Sequence, residues 1–158
     1  MSTDSTQPGT SPGTSPGTAP RTPPGPVVVA WTPDEFGAVA LEHGLAEAAD
    51  RGSRVVVVNA TKGDALVDPR YASDDAVGRL RESVAGRDVE VRQSTGADVA
   101  EQVLAVAAEV GGSLVVLGMR KRTPVGKLLM GSVAQRVLLT ADCPVLAVKP
   151  GQSTPARG

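Results

Sequence analysis

Between Val27 and Pro150 short runs of β-branched residues alternate with longer stretches of helical periodicity. The runs are VVVAW from Val27, VVVVN from Val55, VEVRQ from Val89, LVVLG from Leu114 and VLAV from Val145. Each is short, and each is rich in side chains that pack well on a pleated surface, so each predicts a strand. The stretches between them, Asp34–Arg51, Ser73–Ala85, Gly96–Val110 and Ser132–Thr140, predict helices. In the third, Val99, Val103, Val106 and Val110 recur at steps of four, three and four. They therefore share one face, and Gly111-Gly112 ends the helix.

Strand, helix and strand in repeated succession means parallel strands joined by right-handed crossovers, a sheet with helices on both faces. The four nearly all-apolar runs suit burial on both sides, whereas the alternation of VEVRQ suits a sheet edge. In open sheets of this kind ligands lie beyond the carboxyl ends of the strands, where the strand order reverses. That points to Thr32, to Asn59-Ala60 and to Gly118. Thr32-Pro33-Asp34-Glu35 also reads as a capping box with proline at the first helical position, which gives Thr32 a helix-starting role.

One long connection, GMRKRTPVGKLLMGS from Gly118 to Ser132, joins a strand's carboxyl end to a helix amino end. Unpaired N–H groups and the helix dipole favour an anion there, and glycine lets the backbone come close to it. Ser132 can cap the helix or bond a ligand oxygen. No acidic residue falls between Glu109 and Asp142, while Arg120, Lys121, Arg122, Lys127 and Arg136 all do. The residues alone leave a second reading equally open, in which Gly118 and Gly131 only turn the chain, Ser132 only caps, and the basic run is a solvated face. Gly126-Lys127 does not make a phosphate-binding P-loop, because Lys121 stands where the motif needs glycine and Leu128 where it needs Ser or Thr.

Composition narrows the remaining classes. The first 26 residues are dominated by Pro, Gly, Ser and Thr, with the near-repeat PGTS-PGTS-PGTA from Pro8. They predict a disordered tail, residues 151–158 a flexible end, and 27–150 one domain. The balance of 16 Lys+Arg against 17 Asp+Glu and the few aromatics, Trp31, Phe36 and Tyr71, argue against nucleic acid. No apolar run reaches the length of a membrane span, the start MSTDSTQPGT has no leader pattern, and a lone Cys143 suits a reducing compartment. The expectation is a cytoplasmic protein. No catalytic set is visible: His43 falls mid-helix without a Ser or Cys partner and reads as structural. Asp64, Asp68, Asp74 and Asp75 could hold a metal in principle, but a solvated, helix-starting role fits Asp74 and Asp75 better, and no metal site is expected. Paired carboxylates after the first strand, which a receiver domain requires, are missing.

Gly118, Gly131 and Ser132 fit the signature of Gly, two residues, Gly, nine residues, Gly, then Ser or Thr, and VAQRVLLTADCPVLAVK from Val133 to Lys149 looks like the ending that goes with it. In these features, and across nearly all of residues 27–150, the chain resembles the universal stress proteins. The resemblance implies an α/β fold, an open five-stranded parallel sheet in the order 3-2-1-4-5, Rossmann-like and similar to the adenine nucleotide alpha hydrolases. It implies a stress-response regulator with ATP or another adenine nucleotide across the ends of strands one and four. The contacts would be Thr32, Ala60, Gly118, Lys121, Gly131 and Ser132. It further implies a homodimer through Val145–Val148, an unidentified protein partner, and at most weak ATP hydrolysis. Two positions depart from the pattern: Lys121 replaces the second motif glycine, and Thr32 stands where nucleotide-binding members carry an acidic residue. If the family's second glycine takes a left-handed conformation to donate to a phosphate, a lysine there costs on the order of 1 kcal/mol in backbone strain, and the attraction of its ammonium for the phosphate is comparable and screened by salt. With Thr32 also replacing the acidic residue, nucleotide binding is expected to be weak or absent, and salt-sensitive where present, the alternative being a dimeric interaction module that binds no nucleotide.

Overall fold

The computed structural model describes residues 24–63, 68–120 and 130–155. Lys121, Arg122, Gly126, Lys127 and Leu128 of the long connection, Asp64, and both chain ends (1–23 and 156–158) lie outside the described residues.

Five strands and four helices alternate: β1 (Val27–Ala30), α1 (Glu35–Arg51), β2 (Val55–Lys62), α2 (Asp74–Ser83), β3 (Val89–Gly96), α3 (Val99–Val110), β4 (Leu114–Gly118), α4 (Ser132–Thr140) and β5 (Val145–Val148). The strands form one sheet in the order β3-β2-β1-β4-β5, all pairs parallel. β3, the alternating VEVRQ run, is an edge as its pattern required. Chain direction reverses its march across the sheet between β1 and β4, which is where such sheets open a crevice.

The near-continuous valine runs explain two cores rather than one. Successive strand residues face opposite sides, so Val27, Val29, Val55 and Val57 pack under α1 and α2 with Val39, Ala40, Val77 and Leu80. Val28, Val56, Val58 and Val115 pack under α3 and α4 with Ala100, Val103, Ala107 and Val137. The central strands β1, β2 and β4 are buried on both faces. β5 is covered on both faces but, as the second edge, stays partly exposed at Val145, Leu146 and Ala147.

Several element ends differ from the sequence expectation. β2 runs past Asn59 to Lys62, pairing residue for residue with β3, which itself runs on to Gly96. The ladder claims Gly96, so α3 begins only at Val99, capped by Asp98, whose carboxylate accepts from Glu101 N–H at 2.9 Å. At the start of α1 the cap is Asp34 and not Thr32: one oxygen, Oδ1, accepts from the N–H groups of Phe36 and Gly37, each at 3.0 Å. A carboxylate that reaches two orphan donors outcompetes a hydroxyl two residues earlier. Pro33 consequently precedes the helix. The predicted ends of α2 are also trimmed, to Asp74 and Ser83, with Ser73 as cap.

Candidate functional site

At the carboxyl ends of β1, β2 and β4 the two helical layers part, leaving a cleft of ≈ 330 Å³. Thr32, Ala60, Gly118, Gly131 and Ser132, five of the six residues singled out from sequence, line it together. Lys121, the sixth, lies outside the described residues. The floor is apolar, made by Ala30, Val58, Leu117 and Met119 with Val99 and Val103 from α3 and Ala134 from α4. Polar groups are confined to the rim: Thr32, Asp34, Arg70, Arg120 and Ser132.

The two motif glycines do different work. A Cβ on Gly118 would lie 2.3 Å from the carbonyl oxygen of Phe36, so the end of β4 can sit against the first turn of α1 only if this residue has no side chain. Gly131 has extended backbone at φ −60° and ψ 150°, open to any residue, and no described atom lies within 4 Å of where its Cβ would be. Neither conformation nor described packing explains glycine there.

Gly131 also occupies the cap position of α4, which has no side-chain cap, so Ser132 is the first helical residue rather than the cap. The first N–H groups of α4 thus meet the cleft rim without a capping side chain, the arrangement that favours an anion. Arg120 is exposed on the same rim. Arg136, counted from sequence with the basic residues of this region, is committed elsewhere: it pairs with Asp98 at 2.9 Å and Glu101 at 2.6 Å, tying α4 to the start of α3. Thr32 is partly committed too, its hydroxyl donating to Asp34 Oδ1 at 2.6 Å.

The opposite rim depends on Asn59, to which the sheet topology pointed, on Asp68, weighed only as a metal ligand, and on Thr61 and Arg70, which the sequence did not single out. Asn59 is fully buried and spends its whole amide. Nδ2 donates to the carbonyls of Trp31 at 3.0 Å and Arg70 at 2.8 Å, while Oδ1 accepts from Ala72 N–H at 2.9 Å and from Gln93 Nε2 at 3.2 Å. Two residues on and also fully buried, Thr61 donates its hydroxyl to Asp68. Asp68 accepts in turn from the backbone and Nε of Arg70, at 2.9 and 3.2 Å. These bonds, led by Thr61, pull the Asp68 carboxyl down to about 2, so it is ionised at neutral pH. Besides its place at a strand's carboxyl end, Asn59 signals itself as a lone amide closing a run of four valines: a buried Asn must find partners, and it finds two of them in the next loop.

The other residues weighed from sequence stand apart from the cleft. His43 is buried in α1 with Nε2 2.9 Å from Gln152 O. Cys143 is partly buried beside β5, and burial raises its thiol. Asp74 and Asp75 lie in the first turn of α2, and among the described residues no three His, Cys, Asp or Glu converge on a metal-sized site. Among those residues, too, no helix is long and apolar enough to cross a membrane.

Residues 25–149 match the profile of the universal stress protein family. A universal stress protein of Mycolicibacterium smegmatis is 47% identical over 128 residues, covering 78% of this chain and 97% of the relative. Among solved structures, a universal stress protein in complex with cAMP is 26% identical with a TM-score of 0.58, covering 81% of this chain and 99% of the other. One from Archaeoglobus fulgidus in complex with dAMP is 23% identical with a TM-score of 0.51, covering 80% and 98%, a likeness of fold.

Proposed function

This chain belongs to the universal stress protein family, and from that premise we propose that it is a stress-response regulator that binds an adenine nucleotide weakly in the cleft above β1 and β4. Gly131 carries the proposal: a glycine that neither its backbone nor its described neighbours require, at the uncapped start of α4, on the rim of a cleft. A phosphate approaching that helix end needs the space a Cβ would take. The nucleotide of the cAMP-bound relative supports the ligand class. On this reading the phosphates lie toward Gly131, Ser132 and Arg120, with Thr32, Ala60 and Gly118 beneath the sugar and base and Lys121 beside the phosphates. The role is binding, with at most weak ATP hydrolysis, in a cytoplasmic homodimer paired through β5.

One observation favours the alternative, a dimeric interaction module without nucleotide: Thr32 stands where binding members carry an acidic residue, and its hydroxyl proton is already given to Asp34. Calorimetric titration of ATP into the wild type, Lys121→Gly and Gly131→Val separates the two. Weak binding that falls with salt, changes in Lys121→Gly and is lost in Gly131→Val is the expected result. No binding by either the wild type or Lys121→Gly supports the interaction module.

A further inference from the structure

The Asn59 and Thr61 network leaves one exposed side chain held at the cleft, that of Arg70. Its carbonyl is fixed by Asn59, its N–H by Asp68 and its Nε by Asp68. No hydrogen bond to a described residue engages the two terminal guanidinium nitrogens, and the side chain is 57% exposed on the cleft rim. A buried amide with all four bonding positions used, plus a buried hydroxyl two residues on, is a costly way to hold an exposed cation unless its position matters.

Its place in the fold says what it meets. Arg70 follows β2, whereas Gly131, Ser132 and Arg120 belong to the connection after β4, with β1 between. Two strand spacings, roughly 10 Å, separate β2 from β4. A nucleotide with its phosphate at α4 therefore sets its base toward β2. Asn59 faces the α1 and α2 side of the sheet with Val55 and Val57, while Val99 and Val103 line the cleft from α3 on the other side. The cleft is thus lined by Val99 and Val103 of α3 and by Arg70 from the loop after β2, its guanidinium held at Nε by Asp68. Guanidinium planes stack on base rings, which an ammonium does not do in the same way.

We propose that Arg70, restrained by Asn59, Thr61 and Asp68, is a ligand-binding residue that stacks its guanidinium on the nucleotide base against Val99 and Val103. The proposal rests on the nucleotide reading of the cleft, and AMP and ribose 5-phosphate, which share sugar and phosphate and differ in the base, test the two separately. In calorimetric titrations of the full chain, Arg70→Ala and Arg70→Lys should both weaken AMP by about five- to tenfold and leave ribose 5-phosphate unchanged. The exposed position of Arg70 should keep both variants folded, which a thermal melt checks. AMP binding unchanged in Arg70→Ala overturns the stacking role while the nucleotide site stands. Full affinity in Arg70→Lys, or an equal loss for ribose 5-phosphate, also overturns it, because a charge contact with the phosphate would then account for the effect. A wild type that binds neither AMP nor ATP removes the nucleotide reading itself, and the role of Arg70 with it.

Discussion

Gly118 and the Phe36 carbonyl are so close that a single added carbon on Gly118 would lie 2.3 Å from the oxygen. The contact is between β4 and the first turn of α1, and backbone stands on both sides of it. Gly118→Ala cannot be absorbed by rotating a side chain, so the strand or the helix must shift, at about 1–3 kcal/mol or more. A clear drop in the thermal midpoint is expected, measured beside the wild type. An unchanged midpoint would mean that α1 moves freely at its start.

Gly131→Ala should behave oppositely. With φ at −60° and no described atom near the added carbon, the thermal midpoint should stay within the scatter expected of a surface change, roughly ±0.5 kcal/mol. Two glycines of one sequence signature are then separated by experiment into one that builds the fold and one left free for a ligand. A large loss of stability in Gly131→Ala would assign this glycine to packing as well.

Much of this was legible in the sequence, and the exceptions have physical causes. β4, α4 and β5 begin and end where the pattern put them, because Gly118, Thr140 and the flanking polar residues stop each run. The start of α1 was misplaced because Thr32 and Asp34 are both good caps, and only three-dimensional reach decides between them. Arg136 read as part of a basic surface until the packing of α4 on α3 brought Asp98 and Glu101 to it. Arg70 carried no motif at all. Its place on the cleft comes from Asn59, eleven residues earlier, and from Gln93 across the sheet, contacts that no local spacing encodes.

The Asn59 network should be costly to break from within. In Asn59→Leu the carbonyls of Trp31 and Arg70 lose their donor and the N–H of Ala72 its acceptor, all at a position with no exposed surface. Each stranded group costs about 1–3 kcal/mol, so a loss near or above 3 kcal/mol is expected in chemical denaturation. A loss below about 1 kcal/mol would show that water or loop motion replaces these bonds with ease.

Asp68 makes stability depend on pH in a defined direction. Its carboxyl is held near 2 against an ordinary value of 3.8, first by the Thr61 hydroxyl, then by the backbone N–H of Arg70 and by its side chain. A depressed carboxyl contributes stability that is fully present above its unfolded value and is lost as pH falls through its folded value. The stability difference between wild type and Asp68→Asn should therefore be constant from pH 7 down to about 4 and shrink between 4 and 2. Glu90, lowered by Arg92 and Arg54, adds acid sensitivity of the same sign to both proteins and cancels in the comparison. A difference that does not change with pH would place the effect of Asp68 in packing alone.

Pairing through β5 can be tested without disturbing the core, because the ladder says which backbone groups are free. Val115 N–H donates to Pro144 O at 3.0 Å and Met119 N–H to Val148 O at 2.7 Å. In a parallel pair alternate residues turn both backbone groups to the same side, so residues 144, 146 and 148 face β4 while Val145 and Ala147 present theirs to the open edge. The side chains of Val145 and Ala147 pack against the α3 and α4 core, and that of Leu146 against the other. Lysine at 145 or 147 would thus injure the fold as well as any interface. Ala147→Pro removes one edge donor and no ladder bond, a position where proline is tolerated. If two chains join their β5 edges, sedimentation at tens of micromolar should find the wild type dimeric and Ala147→Pro largely monomeric, with similar thermal midpoints above the dissociation range. A proline variant that remains fully dimeric would move the interface away from β5.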